Sequence, residues 1–160
     1  AGATLDSTAA EGVLYAHGGV SGGHSLYIKD RRLSYAYNWL DIETTIVVSD
    51  RELAPGAHVL TAEFTAEGPS APPKPGTAGT VRLYVDGDEV GSAAIVTQPG
   101  FFNPVGDGHC AGRDDGSPVT SDYDAPFPFT GGTLDKVVVD VSGQHYRDHE
   151  AEVRGWFMLD

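Results

Sequence analysis

GVLYAHGGVSGGHSLYIKDRRLSYAYNWL, residues 12–40, packs three strand-like runs and the turns between them into one continuous piece. The runs LYI (26–28) and LSYAY (33–37) flank Lys29, Asp30, Arg31 and Arg32, which is the spacing of a tight hairpin. Leu33, Tyr35, Tyr37 and Trp39 fall on one side of an extended chain, and Ser34, Ala36 and Asn38 fall on the other. That is the period-two pattern of a sheet with one large-residue face. The stretch therefore predicts a β-meander that later strands must cover. Its aromatic stripe, Tyr35, Tyr37 and Trp39, serves either as core or as a ligand-binding platform on which a sugar ring stacks.

Outward from the meander, residues 1–10 read as an edge strand or linker, and the glycine-rich run at 18–23 as a turn. A strand follows that turn and a helix does not, so the run lacks the context of a phosphate-binding loop. TTIVVS (44–49) and AHVLTAEFTA (57–66) are further strands, the second alternating between a wet and a buried side. Residues 67–79 hold four of the chain's ten prolines, enough breaker content to predict a long Pro/Gly hairpin loop. The strand pattern resumes at once in VRLYV (81–85), so this loop does not divide the chain. Asp86-Gly87 then sits between two apolar runs, the strongest short-range hairpin signal because glycine supplies positive φ. Periodicity fades over 98–128, apart from a short strand near 109–112. Residues 130–141 read as a strand whose Leu134, Val137, Val138, Val139 and Val141 are buried. At 148–160, Asp148 caps a short C-terminal helix carrying Trp156 and Phe157 on one side, with a strand through Val153 and Phe157 as the competing pattern. These two rings are expected to form an interdomain docking face, or to pack on the sandwich itself.

A chain of 160 residues reads as one domain, 1–160, and buries roughly 70% of its extended surface, so a core without staples is feasible. The single cysteine, Cys110, cannot form an intrachain disulfide. With 23 acidic and 10 basic residues the net charge is −13, which repels phosphate backbones and anionic headgroups. Nucleic acid and membrane surfaces are therefore not expected partners. The start at Ala1 lacks the features of a signal peptide, which favours a cytoplasmic over an exported location and points to a fragment or processed product.

His17, His24, His58 and His109 are scattered over separate runs, and His145 and His149 lack the glutamate of a zinc helix. Cys110 beside His109 resembles a nucleophile and base, except that adjacent residues of a strand point to opposite faces. Ser25 lacks the second glycine of a nucleophile elbow. No catalytic residue emerges. Asp107, Asp114 and Asp115 crowd a glycine-rich region with Asp122 and Asp124. They either ligate a structural calcium through carboxylate and carbonyl oxygens or form a solvated loop of Asx-type turns.

Three stretches together, residues 11–40, the hairpin GTVRLYVDGDEVG and the run from Cys110 to Gly143, resemble the C-terminal domain of long bacterial, especially actinobacterial, arylsulfatases. Gly18-Gly19, Ser25-Leu26-Tyr27, Tyr37-Asn38, Asp86-Gly87, Gly112-Arg113-Asp114, Pro118-Val119 and Phe129-Thr130-Gly131 follow that family's order. The resemblance implies an all-β, antiparallel jelly-roll β-sandwich related to laminin-G and lectin-like domains. It implies a non-catalytic accessory domain that shapes or supports a sulfatase catalytic domain in cis. The parent sulfatase, a hydrolase of sulfate esters, uses a calcium ion and a formylglycine. The formylglycine signature, Cys or Ser followed by x-Pro-x-Arg, is absent from this chain. Arg31 stands where the family's first hairpin usually has glycine, so a positive φ there costs roughly 1 kcal/mol. The alternative is a carbohydrate-binding lectin-like sandwich module for sulfated or plain sugars.

Overall fold

The computed structural model describes residues 1–99 and 108–143, and its described residues form ten strands and no helix. In chain order these are β1 (Gly2–Leu5), β2 (Gly12–Gly19), β3 (Gly22–Lys29), β4 (Arg32–Trp39), β5 (Glu43–Val48), β6 (Gly56–Ser70), β7 (Gly76–Val85), β8 (Asp88–Thr97), β9 (His109–Ala111) and β10 (Gly132–Lys136). They build two five-stranded antiparallel sheets, β10-β1-β6-β7-β8 and β5-β4-β3-β2-β9. The molecule is an antiparallel β-sandwich, and the opening meander supplies three adjacent strands, β2, β3 and β4, of its second sheet.

Turn chemistry fixes the hairpins. Asp30 and Arg31 adopt φ of 50° and 65°, and Asp86 and Gly87 adopt 55° and 89°. Two consecutive positive values match the right-handed twist of the flanking strands. Asp86 adds a clamp of its own, accepting from the Val59 amide at 2.7 Å and pairing with His58 at 2.7 Å. The strained Arg31 is held by an ion pair to Glu52 at 2.8 Å and by the Leu53 amide on its carbonyl.

The core lies between the sheets. Leu14, Leu26, Ile28, Leu33, Tyr35, Tyr37, Trp39 and Val47 from one side meet Leu60, Val81, Leu83, Val85, Val90 and Ile95 from the other. A second, smaller cluster covers the outer face of the meander sheet, where Val13, Ala16, Tyr27 and Ala36 pack against Val119 and Tyr123. This cover is a strap of irregular chain between β9 and β10. Asn38 anchors it by donating to Val119 O at 2.9 Å, and Lys29 and the Tyr27 hydroxyl both bind Asp122, at 2.8 and 2.7 Å. The meander sheet is thus coated on both faces, which is why β2, β3 and β4 are buried along nearly their whole length.

Several expectations are corrected. β1 is not an edge strand: it lies between β10 and β6, which take up its two backbone edges. The Pro/Gly segment is not a loop throughout 67–79, because β6 runs to Ser70 and β7 begins at Gly76, leaving residues 71–75 as the turn. Backbone pairing continues past Pro69, which lies opposite Thr77, to Ser70 opposite Gly76. The strand expected over 130–141 ends at Lys136, whose partner Gly2 is the first residue of β1, so no strand remains for the valines to pair with. Val138, Val139 and Val141 are instead exposed, at 46%, 52% and 92%. The C-terminal helix, with Trp156 and Phe157, lies outside the described residues.

Candidate functional site

One side of the sandwich opens between β9 and β2 on one sheet and the chain following β10 on the other. The opening is a cleft of about 560 Å³. Its floor is built from cross-strand neighbours. His17 on β2 pairs with His109 on β9 and with His24 on β3, and Tyr15 pairs with Leu26, which in turn faces Tyr35. Opposite this floor stand Ala62, Phe64 and Val81, and residues 137–141 form the lip.

A β-bulge places these side chains. The register of β2 on β3 shifts between Val13 and Tyr15, leaving Leu14 as the extra residue. Two residues of the bulged strand then oppose one partner, and the alternation changes phase. Val13 packs in the outer cluster, Leu14 in the inter-sheet core, and Tyr15 and His17 line the cleft. In an unbroken strand Val13, Tyr15 and His17 would share a face. Gly23, beside this row, has φ of 150°, and a Cβ there would lie 2.2 Å from His17 O. Only glycine lets β3 approach β2 so closely next to the histidine pair.

The rings form a contiguous surface. His17 stacks on His109 at 4.1 Å and 15°, and meets His24 edge-on at 5.8 Å and 90°. His24 also contacts Tyr15 and Tyr35 at 5.6 and 5.9 Å. The Tyr15 hydroxyl and His109 Nδ1 share a 2.5 Å hydrogen bond. By contrast, no hydrogen bond joins the side-chain polar atoms of His17, His24 or Tyr35 to any described residue.

Burial, reinforced by the neighbouring His17 and His109, pushes the His24 imidazole down to about 4. Burial and His109 lower His17 as well. Burial raises the phenols of Tyr15, which Cys110 also opposes, and of Tyr35. These two imidazoles and two phenols are accordingly neutral at pH 7, despite the chain's −13 charge.

The residues singled out from sequence are dispersed. Tyr35, Tyr37 and Trp39 are 8%, 8% and 7% exposed and belong to the inter-sheet core, with Tyr35 alone reaching the cleft. Lys74 sits 5.6 Å above the Trp39 ring, and the Tyr37 hydroxyl accepts from the Gln98 amide at 2.8 Å. Asp114 is fully buried under the strap, accepting from the Tyr123 hydroxyl at 2.6 Å and the Val119 amide at 3.3 Å. Asp115 turns outward to Arg113 at 2.7 Å. Asp107 lies outside the described residues, and among those described no group of three His, Cys, Asp or Glu side chains is arranged to hold a metal ion. Cys110 packs against the outer cluster while His109 lines the cleft, so the two do face opposite ways.

The histidines that look scattered along the chain are the residues sequence reasoning missed. Period-two alternation alone would put His17 and Val13 on one face, and the bulge is the step it lacks. A signal existed in the antiparallel hairpin itself: centring the turn on Val20-Ser21 places His17 opposite His24. No family model, curated protein or solved structure matches the chain.

Proposed function

We propose that the chain is a non-catalytic accessory module whose contribution is the binding cleft between its sheets. The observation that carries this is a preformed opening in which three polar groups, on His17, His24 and Tyr35, have no hydrogen bond to any described residue. A few convergent polar groups that stay open to a ligand, set among apolar and aromatic side chains, are the usual make-up of a binding site. The test titrates the purified chain with a mixture of small ring compounds while following the histidine resonances by NMR, beside an assay with a chromogenic aryl sulfate. Saturable histidine shifts without sulfate release are expected; turnover by protein free of host sulfatase overturns the proposal.

A second proposal follows the sequence resemblance: the module supports the catalytic domain of an arylsulfatase in cis. The exposed Val138, Val139 and Val141 favour it, because an aliphatic run at a sheet margin is suited to packing against a neighbouring domain. An upstream reading frame encoding Cys or Ser followed by x-Pro-x-Arg supports this parentage, and a frame without it removes the parentage.

A further inference from the structure

We infer that the His17, His24 and Tyr35 floor of the cleft is a subsite for an uncharged ring bearing hydroxyl groups, a saccharide or a phenol. The inference rests on the proposal that the cleft binds a ligand, and it specifies the chemistry of that ligand.

The first step is the donor and acceptor inventory. A neutral imidazole offers one N–H and one lone pair, and a phenol offers one O–H together with acceptor capacity. His17, His24 and Tyr35 therefore present both kinds of group, and no described residue satisfies them. A carboxylate or sulfate can only accept, so it would leave the imidazole lone pairs facing its own oxygens. An ammonium can only donate, and it would leave the N–H and O–H groups unmet. A hydroxyl does both, and several hydroxyls on one ring match a row of such groups without any change of protonation.

The second step is the absence of a counter-charge at the floor. Among the cleft-lining residues described, the charged groups lie off the floor: the Asp140 carboxylate is exposed at the lip and accepts from the Ser142 amide at 2.8 Å, and the Ala1 ammonium donates to Leu60 O at 2.6 Å on the opposite sheet. A charged ligand settling on the imidazoles would give up its hydration with no opposite charge among the floor side chains. Burial holds His24 neutral, so an anion would also have to bring a proton.

The third step is shape. One wall is made of ring faces, His17 stacked on His109 with His24 edge-on to it, and the other of Ala62, Phe64 and Val81. A flat or chair-shaped ring places an apolar face on such walls while its rim reaches the polar atoms.

The experiment titrates the full chain at neutral pH with methyl β-glucoside and with phenol, and separately with glucuronate and glucosamine, reading the imidazole Hε1 resonances of His17 and His24. Saturable shifts are expected with at least one neutral ring, and binding at least about tenfold weaker with both charged ones. A response to the glucoside alone identifies a saccharide, and one to phenol alone identifies an aromatic ligand. His24→Phe keeps the ring and should abolish the response. Tyr35→Phe, which leaves the core ring in place, should weaken binding several-fold, and thermal melts of both variants verify folding. Charged probes that saturate the imidazoles as tightly as the neutral ones overturn the ligand class and leave the binding module standing. Silence of both histidines to both neutral rings overturns the inference, and sulfate release in the same preparation would remove the binding module too.

Discussion

The Tyr123 hydroxyl donates to the buried carboxylate of Asp114 across 2.6 Å, and it lies 2.9 Å from Ser25 Oγ on β3. This bond ties the strap to itself and to the outer face of the meander sheet. Removing one partner of a buried hydrogen bond leaves the other unsatisfied, at a cost of about 1–3 kcal/mol.

Tyr123→Phe should therefore cost about 1–3 kcal/mol in urea denaturation, and Asp114→Ala more, since it strands the Val119 amide as well as removing the Tyr123 bond. The double variant should lose less than the sum of the two, because the residues share one bond. Strict additivity would show that the strap is held by its apolar contacts alone.

Stability should fall on mild acidification. The folded state holds His24 near 4 against an ordinary value of 6.5, so between these limits the unfolded chain binds a proton that the native chain refuses. The contribution is complete above 6.5 and is lost as pH drops toward 4, with a slope of up to about 1.4 kcal/mol per pH unit. His17, lowered in the same direction, steepens the loss. Urea midpoints across this range should show it, and His24→Phe should flatten the profile; an unchanged slope in that variant would mean that other groups set it.

Arg31→Gly should stabilise the first hairpin. Relief of a left-handed conformation at φ of 65° is worth about 1 kcal/mol, and the exposed Arg31–Glu52 pair that is lost returns less than that. Making the change in a Glu52→Gln background separates the two effects. A loss of stability in that background would contradict the strain.

Gly23→Ala should be costly, at about 2–3 kcal/mol, because its Cβ would overlap His17 O at 2.2 Å and must be relieved by moving β2 away from β3. The His17 and His24 resonances should move with it. A variant as stable as the parent, with unshifted imidazoles, would show that the two strands are not in such close approach.

What was legible in the sequence was local. Asp86-Gly87 and the residues 29–32 announce their turns because each needs φ values that few residues accept, and the alternation of Leu33, Tyr35, Tyr37 and Trp39 gives the buried face directly. Pairing between distant segments was not legible. Nothing near Gly2–Leu5 indicates that two strands flank it, and nothing in the run 137–141 indicates that its pairing partner stops opposite Lys136. Proline content misled over 67–79, because β6 carries Pro69 just past the pairing shift between Ala66 and Gly68, while Pro72, Pro73 and Pro75 all fall in the five-residue turn. The candidate site depended on both kinds of blindness, a bulge that reverses phase and a third strand, β9, arriving from residues 109–111.

The seating of β1 also has a kinetic side. Its four residues find their partners at residues 56–59 and 132–136, with Gly2 opposite both Val59 and Lys136. Each pairing closes a long loop whose entropy must be met before any contact forms, and topologies dominated by such distant pairs fold in milliseconds to seconds, not microseconds. The hairpins β2-β3-β4 and β6-β7-β8 can assemble earlier from neighbours in sequence. Until β1 docks, the start of β6 at residues 56–59 presents an unpaired edge to other chains, so refolding yield should fall as protein concentration rises.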